Sequence, residues 1–248
     1  MRQAGRVHLT DALARIGDEV VGTQPRPEPA TVLVVGLVVL AVVALPATWR
    51  VSRHVVTIAH EGAHGVAALL SGRRLAGIRL HSDTSGLTLS RGRSAGPGMV
   101  ATALAGYVGP SLLGLGAAYL LRERHALAVL WLAVVLLGLL LLQIRNFYGL
   151  YAVLVAGLGV FAVSWWGSEP VQSVAAYAGT WFLLLAAPRP VLELQRQRRR
   201  GRARDSDADL LARLTPLPGL AWVGLFLLVT VAALGLGASW LLGLLWGR

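Results

Sequence analysis

Long apolar segments, separated by short polar segments, make up most of the chain after residue 30. Most of them approach the ~20 residues that a helix needs to cross a hydrocarbon core of ~30 Å. A backbone surrounded by lipid must satisfy its own hydrogen bonds, so helices are expected here. The pattern predicts an all-α polytopic membrane protein with seven transmembrane helices. The seven predicted spans cover residues 31–48, 54–70, 99–121, 126–144, 150–166, 171–187 and 217–246.

The polar segment after the second apolar run has a different periodicity. Apolar and polar residues alternate in two short runs within residues 76–90, and the turn-forming residues 82–86 separate the runs. Alternation with a period of two is typical of a half-exposed β-strand, and Ser, Asp and Gly favour turns. The sequence therefore predicts a small β-hairpin over residues 76–90.

Composition supports the membrane class and limits the chemistry. Hydrophobic residues make up 55% of the chain and charged residues 14%, whereas soluble domains contain about 45–50% apolar and about 25% charged residues. There is no cysteine, which excludes disulfides and thiolate metal sites. A metal ion would have to be held by His, Asp, Glu or Asn.

The net charge of +11 comes from arginine alone, because the chain contains no lysine. Such a charge can indicate nucleic-acid binding. Here the arginines lie in short loops between apolar segments, mainly within 71–97 and 188–216, which is typical of cytoplasmic loops. We therefore expect no nucleic-acid partner. The same rule predicts a multi-pass protein of the cell membrane with its N-terminus inside and its C-terminus outside.

This pattern divides the chain into two parts. Residues 1–29 are predicted to form a cytoplasmic N-terminal tail, and residues 30–248 a single membrane-embedded domain. That domain includes the hairpin and an arginine-rich loop over residues 188–216.

The second predicted span contains the sequence His60-Glu61-Gly62-Ala63-His64. Residues four apart on a helix differ by about 40° and lie one turn apart, so His60 and His64 share a face. Two imidazoles so placed can reach one zinc ion at about 2.0–2.1 Å. Glu61 points elsewhere, where it can hold a water molecule and accept its proton as a general base.

The position of this motif makes a zinc site more plausible than a chance match. An ionisable side chain at the centre of a bilayer costs about 2.5–3.5 kcal/mol, so three of them within five residues need partners. Hydrogen bonding between helices is the alternative explanation. His54, six residues before His60, is interpreted as an interfacial residue.

The motif with Gly65, inside a membrane helix, resembles the site-2 protease family of intramembrane zinc metallopeptidases. More narrowly, it resembles the small bacterial, actinobacterial-type branch of that family. Four further stretches, over about residues 50–225, support the resemblance. They are the hairpin over 77–90, Gly-Tyr-Val-Gly-Pro-Ser at 106–111, Arg-Asn-Phe-Tyr-Gly at 145–149, and the segment 206–216 with its Ser-Asp-Ala-Asp start and Leu-Thr-Pro end, together with Trp222.

The resemblance implies zinc-dependent hydrolysis of peptide bonds in or next to a transmembrane segment of a substrate protein. The partners would be a membrane protein substrate and the lipid bilayer. The hairpin itself has two interpretations: a cytoplasmic connector, or an edge strand that receives an unwound substrate by strand addition.

The resemblance also implies a third protein ligand, usually an aspartate followed by glycine on a later helix. No Asp-Gly pair follows the zinc motif here. We favour Asp207 as this ligand; Asp209, Asn146 and Glu169 are the other candidates. Both aspartates also suit a helix N-terminus capped by Ser206. Asn146 suits a helix cap or a group that polarises a substrate carbonyl, and the predicted topology places Glu169 on the opposite side.

Two other functions remain open. A non-catalytic membrane scaffold or sensor could retain the zinc site, and the missing Asp-Gly pair is the argument for it. A metal-ion transporter needs a relay of polar groups across several spans. The third, fourth, sixth and seventh predicted spans are almost purely apolar, which disfavours transport.

Overall fold

A computed structural model describes residues 17, 20–201 and 205–244. The N-terminal tail up to residue 16 and the end of the last predicted span lie outside the described residues. Within the described part, nine helices with defined ends and one two-stranded sheet follow each other along the chain. They are α1 (Pro29–Ala44), α2 (Pro46–Leu70), β1 (Arg74–Leu80), β2 (Gly86–Arg91), α3 (Pro97–Arg122), α4 (Ala126–Leu141), α5 (Phe147–Trp166), α6 (Glu169–Ala186), α7 (Pro188–Arg199), α8 (Asp207–Leu214) and α9 (Gly219–Leu241).

Four helical segments of the described residues are long and apolar enough to cross a membrane. They are α3, α5, α6 together with α7, and α9. The pair α1 and α2 forms at most a fifth span, because its two helices are bent by 100° where they meet. Helix α4 is apolar but has only 16 residues. The structure thus agrees with a helical multi-pass protein, while the predicted count of seven spans is not confirmed.

The bend between α1 and α2 lies at Leu45. Pro46 follows it and disfavours a helical conformation at the preceding residue; Leu45 is extended, with φ −74° and ψ 130°. The backbone carbonyls that the bend releases have side-chain partners. The hydroxyl of Thr48 lies 2.7 Å from the carbonyl oxygen of Val42, and the guanidinium of Arg189 donates to that of Val43. Such groups need protein partners where water is absent.

The predicted β-hairpin is present, with β1 and β2 antiparallel. The other edge of β1 is also occupied, because the backbone N–H of Ile78 donates to Gln143 at 2.8 Å and its carbonyl accepts from Arg145 at 2.9 Å. The hairpin is therefore fastened to the α4–α5 connection, and β2 is its outer strand.

Within residues 188–216, predicted to be an arginine-rich loop, Pro188–Arg199 and Asp207–Leu214 form the helices α7 and α8. The two helices bury apolar residues against α3 and α9, in a cluster that includes Val191, Leu211 and Phe226. Each helix has one apolar face and one polar face. The many arginines of the polar faces made this amphipathic pattern difficult to recognise in the sequence. This packing brings the start of α8 into the helical bundle.

The bundle has two ends, which we name by their contents. The hairpin end holds the hairpin, the start of α3, α7 and α8; at this end Gly98 of α3 lies against Ser71. The turn end holds the α3–α4 turn. There the backbone N–H of Gln24 donates to Arg124 at 2.8 Å, and its side-chain oxygen accepts from Leu127 at 3.0 Å. The segment 22–26 therefore lies at the turn end.

Candidate metal centre

His60 and His64 lie one turn apart on α2, as their spacing predicts. Their Nε2 atoms are 3.0 Å apart, and their rings meet edge to face. The side chain of His64 is buried. Both Nε2 atoms thus point at the same small volume between α2, α3 and α8.

The orientation of His64 is set by a backbone group of α3. Its Nδ1 lies 2.7 Å from the carbonyl oxygen of Thr102. A carbonyl oxygen can only accept, so Nδ1 carries the proton and donates it. In the neutral ring Nε2 therefore carries the lone pair that a metal ion needs, whereas without a metal a second proton on Nε2 can be donated to the carboxylate of Asp207. Fixing a histidine tautomer through its other nitrogen is the usual role of the groups around metal ligands.

Asp207 completes the group from the first residue of α8. Its Oδ2 lies 3.4 Å from Nε2 of His60 and 3.3 Å from Nε2 of His64. Burial alone would raise the pKa of this carboxyl. The hydrogen bonds and charge interactions with His60 and His64 outweigh burial, so the pKa of Asp207 is lowered. The carboxylate is therefore held in its ionised form, which is the form that binds a metal.

The separations within this group fit a tetrahedral metal ion. A tetrahedral site with ligand distances of about 2.0–2.1 Å separates its ligand atoms by about 3.3 Å. The observed separations are 3.0, 3.3 and 3.4 Å. Two imidazole nitrogens and one carboxylate oxygen suit zinc, and three protein ligands leave a fourth position open, as in catalytic sites. Within the described residues, this is the one group of three such side chains able to hold a metal.

Helix α3 approaches this group closely at Gly106. A Cβ atom at this position would lie 2.5 Å from Cε1 of His64 and 2.6 Å from Cε1 of His60. One turn further along, a Cβ at Gly109 would collide with Cβ of Ala63. The two glycines of the 106–111 segment therefore allow α3 to lie directly on the zinc motif.

The next residue, Tyr107, completes the wall on this side. Its ring stands edge-on to that of His60 at 4.8 Å and stacks on Phe226 of α9 at 4.9 Å. The position of His60 is thus limited by aromatic packing from two other helices.

Glu61 is not a member of the three-residue group, and its carboxylate lies against the hairpin. Its side chain is buried. The hydroxyl of Thr88 on β2 lies 2.6 Å from its Oε2. Gly86, two residues earlier on the same strand, lies so close that a Cβ there would be 2.5 Å from Oε1 of Glu61. The carboxylate next to the histidines is thus enclosed by β2.

Asp209, considered as a metal ligand, serves another role in the structure. It accepts hydrogen bonds from Arg198 and, at 2.7 Å, from the hydroxyl of Ser206. Ser206 caps α8 as predicted, with its side chain accepting from the backbone N–H of Asp209. Burial would raise the pKa of Asp209, but these hydrogen bonds and the charge of Arg198 lower it.

The other two candidate ligands also lie outside the three-residue group. The side-chain amide of Asn146 pairs with the backbone of Leu80, donating at 2.6 Å and accepting at 3.1 Å. It therefore acts as a strand partner for the end of β1. Glu169 lies in the first turn of α6. His54, predicted to be interfacial, has its Nε2 2.8 Å from the hydroxyl of Tyr148.

Sequence analysis did not identify the roles of Thr88 and Thr102. A signal was present for Thr88, because alternation along β2 places it on the face opposite to Leu87 and Leu89. Both leucines are exposed, at 48% and 42% of their surface. Thr102 acts through its backbone carbonyl, so its residue type carries no signal.

One comparison with known proteins gives a match. A family model described as Peptidase M50B-like matches residues 33–237. This range covers α2, the hairpin and α8, and hence every residue of the metal-capable group. No curated protein and no solved structure matches the chain.

Proposed function

Because this chain belongs to the Peptidase M50B-like family, the family of the site-2 proteases, we propose that it is a membrane-embedded zinc metalloendopeptidase. It would hydrolyse peptide bonds in or next to transmembrane segments of substrate proteins. The observation that supports this most is the convergence of His60, His64 and Asp207 beside the buried Glu61. It joins a metal-capable group to a candidate base within a helical membrane protein.

In this proposal His60, His64 and Asp207 hold the zinc ion. Zinc, when bound, supplies Lewis-acid polarisation of water and of a substrate carbonyl. In the neutral ring of His64, the hydrogen bond from Nδ1 to Thr102 selects the tautomer whose Nε2 carries the lone pair. Glu61 accepts a proton from the attacking water on its carboxylate and delivers it to the leaving amide nitrogen. The product ends are then a carboxylic acid and an amine.

The hairpin supports the proposal that a substrate binds as an added strand. β1 is paired on both sides, by β2 and by residues 143–145. β2 is the outer strand, and it also carries Thr88, the partner of Glu61. A transmembrane substrate must unwind before its peptide bond becomes accessible, and pairing with β2 would satisfy its backbone groups.

For orientation, we propose that the hairpin end faces the cytoplasm. This end carries most arginines of the described residues, including Arg73, Arg91 and Arg199, which the positive-inside rule places inside. The sequence had placed the N-terminal tail on that same side. Because the segment 22–26 contacts the α3–α4 turn, we now propose that it lies on the outer side.

The test is cleavage of a single-span membrane protein by the purified chain in detergent, with Glu61→Gln measured in parallel. We expect the substitution to reduce the rate by about 10²–10⁴-fold, the usual contribution of general acid–base catalysis. Zinc content should remain that of the parent, because Glu61 is outside the three-residue group. A chelator should abolish cleavage, and added zinc should restore it.

Failure of this test would favour the non-catalytic alternative. If a panel of single-span substrates stays intact while the parent chain binds one zinc ion and remains folded, a scaffold or sensor is the better description. A metal-free parent chain, unchanged by His60→Ala with His64→Ala, would contradict both descriptions.

A further inference from the structure

The contact between Thr88 and Glu61 joins two separate elements at the candidate site. Glu61 lies on α2, and Thr88 lies on β2, 27 residues later. The hydroxyl of Thr88 is 2.6 Å from Oε2 of Glu61 and 3.0 Å from the backbone carbonyl oxygen of the same residue. It has one proton to donate. Charge-assisted O–H···O⁻ bonds are typically 2.5–2.7 Å and are about twice as strong as neutral ones, so the carboxylate is the favoured acceptor.

The same strand restricts the other oxygen of this carboxylate. Gly86 and Thr88 are two residues apart, so they face the same side of β2. The absence of a side chain at Gly86 leaves room for Oε1 of Glu61, since a Cβ there would be only 2.5 Å away. One oxygen is thus hydrogen-bonded and the other is confined by backbone.

We propose that Thr88 is a positioning residue for the general base, holding the Glu61 carboxylate in the rotamer that the reaction requires. This inference rests on the proposed peptidase function. It assigns the hairpin a second role beside substrate pairing, because one strand would both receive the substrate and orient the base. A carboxylate without this bond would retain its burial but would sample other rotamers.

A simpler role for Thr88 would be to fasten the hairpin to α2. The chain contains a matched example of such a fastening bond at Thr57, whose hydroxyl lies 2.9 Å from the carbonyl oxygen of Thr84 in the hairpin turn. The hydroxyls of Thr57 and Thr88 each link α2 to the hairpin, but of the two only the Thr88 hydroxyl is hydrogen-bonded to the carboxylate of Glu61. Removing each hydroxyl in turn separates the two roles.

The kinetic experiment compares Thr88→Val, Thr88→Ser and Thr57→Val in the zinc-loaded full chain, with the single-span substrate. We expect Thr88→Val to lower kcat by about 10–100-fold, the usual cost of losing a partner that orients an active-site group, and to leave KM within about twofold. Thr88→Ser keeps the hydroxyl and should retain kcat within about threefold. Thr57→Val should leave kcat unchanged.

Two kinetic results would overturn the proposal. One is an equal loss of kcat in Thr57→Val and Thr88→Val, which would mean that docking of the hairpin is what matters. The other is a loss of kcat in Thr88→Ser as large as that in Thr88→Val, which would make the methyl group the important part. If Thr88→Val does not fold, Thr88→Ala, which also removes the hydroxyl, takes its place in both comparisons.

A second readout does not depend on activity. Thr88→Val should lower the Tm of the metal-free chain, and this shift should largely disappear when Glu61→Ala has already removed the acceptor. Additive Tm shifts would show that the hydroxyl does not bond the carboxylate, and the proposal would fail. If the parent chain cleaves nothing, the peptidase function fails, and this Tm coupling alone decides whether Thr88 holds Glu61.

Discussion

Asp207 and Asp209 lie two residues apart in the first turn of α8, but their carboxylates have different neighbours. Asp207 faces the two histidines, while Asp209 faces Arg198 and the capping Ser206. From the sequence both aspartates were candidates, because either suits a helix N-terminus. Residues two apart on a helix differ by about 200°, so only one of them can point at the site.

This difference predicts separate effects of two equivalent substitutions. Asp207→Asn should weaken zinc binding by more than about 100-fold, beyond the ~10–100-fold typical of residues around the ligands. Asp209→Asn should leave zinc affinity within about threefold but lower the Tm, because a helix cap and an ion pair are lost. Competition with a chromophoric chelator measures the affinity. Equal losses of zinc affinity in the two variants would contradict the assignment of Asp207.

At the scale of elements, the contact between α2 and α3 determines the site. Gly106 lies against both imidazoles, and Gly109 lies against Ala63. Between membrane helices, where lipid is as apolar as the side chains, small residues allow the close packing that stabilises the pair. Gly106 and Gly109 are three residues apart, so they lie on the same face of α3. This face packs against the zinc motif, and it also carries Thr102, whose backbone carbonyl orients His64.

We predict that Gly106→Ala disrupts this contact. The added methyl group would lie 2.5–2.6 Å from ring atoms of both histidines, so zinc binding should be lost or reduced by at least tenfold, and the Tm should fall. Gly116→Ala, in the same helix but with nothing within 4 Å of its Cβ position, is the matched control. It should leave zinc content and Tm nearly unchanged. Both variants are checked by measuring zinc content by mass spectrometry and thermal unfolding in detergent. Normal zinc binding in Gly106→Ala would contradict the close contact between Gly106 and the two histidines.

At the scale of the whole molecule, the two ends of the bundle differ in charge and in content. α3 has 26 residues, and it leads from the hairpin end to the turn end. At the rise of 1.5 Å per residue it is about 39 Å long, enough to cross a bilayer. Gln24 holds the N-terminal segment at the turn end. Most arginines of the described residues lie at the hairpin end, in or next to the hairpin, α7 and α8. Asp207 joins the candidate metal group from the start of α8, which lies at the hairpin end.

The absence of cysteine makes this orientation directly measurable. Single cysteines at the exposed positions Thr23 and Ser168 would report the turn end, and those at Ser94 and Gln197 the hairpin end. With a membrane-impermeant maleimide, we expect the first pair to react in intact cells and the second pair only after permeabilisation. A Thr23→Cys variant that behaves like Ser94→Cys would place the N-terminal segment on the hairpin side. A complete reversal of the pattern would keep the two ends but invert the protein in the membrane.

The sequence by itself determined the helical membrane class, the hairpin and the pairing of His60 with His64. These features depend on local periodicity: long apolar runs, a period of two, and a spacing of one helical turn. The family resemblance, drawn from the zinc motif and four further stretches, was confirmed by the match over residues 33–237. Asp207 stays a proposed ligand, favoured from the sequence and supported by its distances to the two histidines.

Only the tertiary structure decided which residues from distant segments meet. The bend at Leu45, the folding of 188–199 and 207–214 into amphipathic helices, and the docking of the segment 22–26 all depend on packing partners far away in sequence. The bond from Thr88 to Glu61 and the pairing of Asn146 with Leu80 join positions 27 and 66 residues apart. Periodicity reports on one element at a time, so such contacts follow only from how the elements pack.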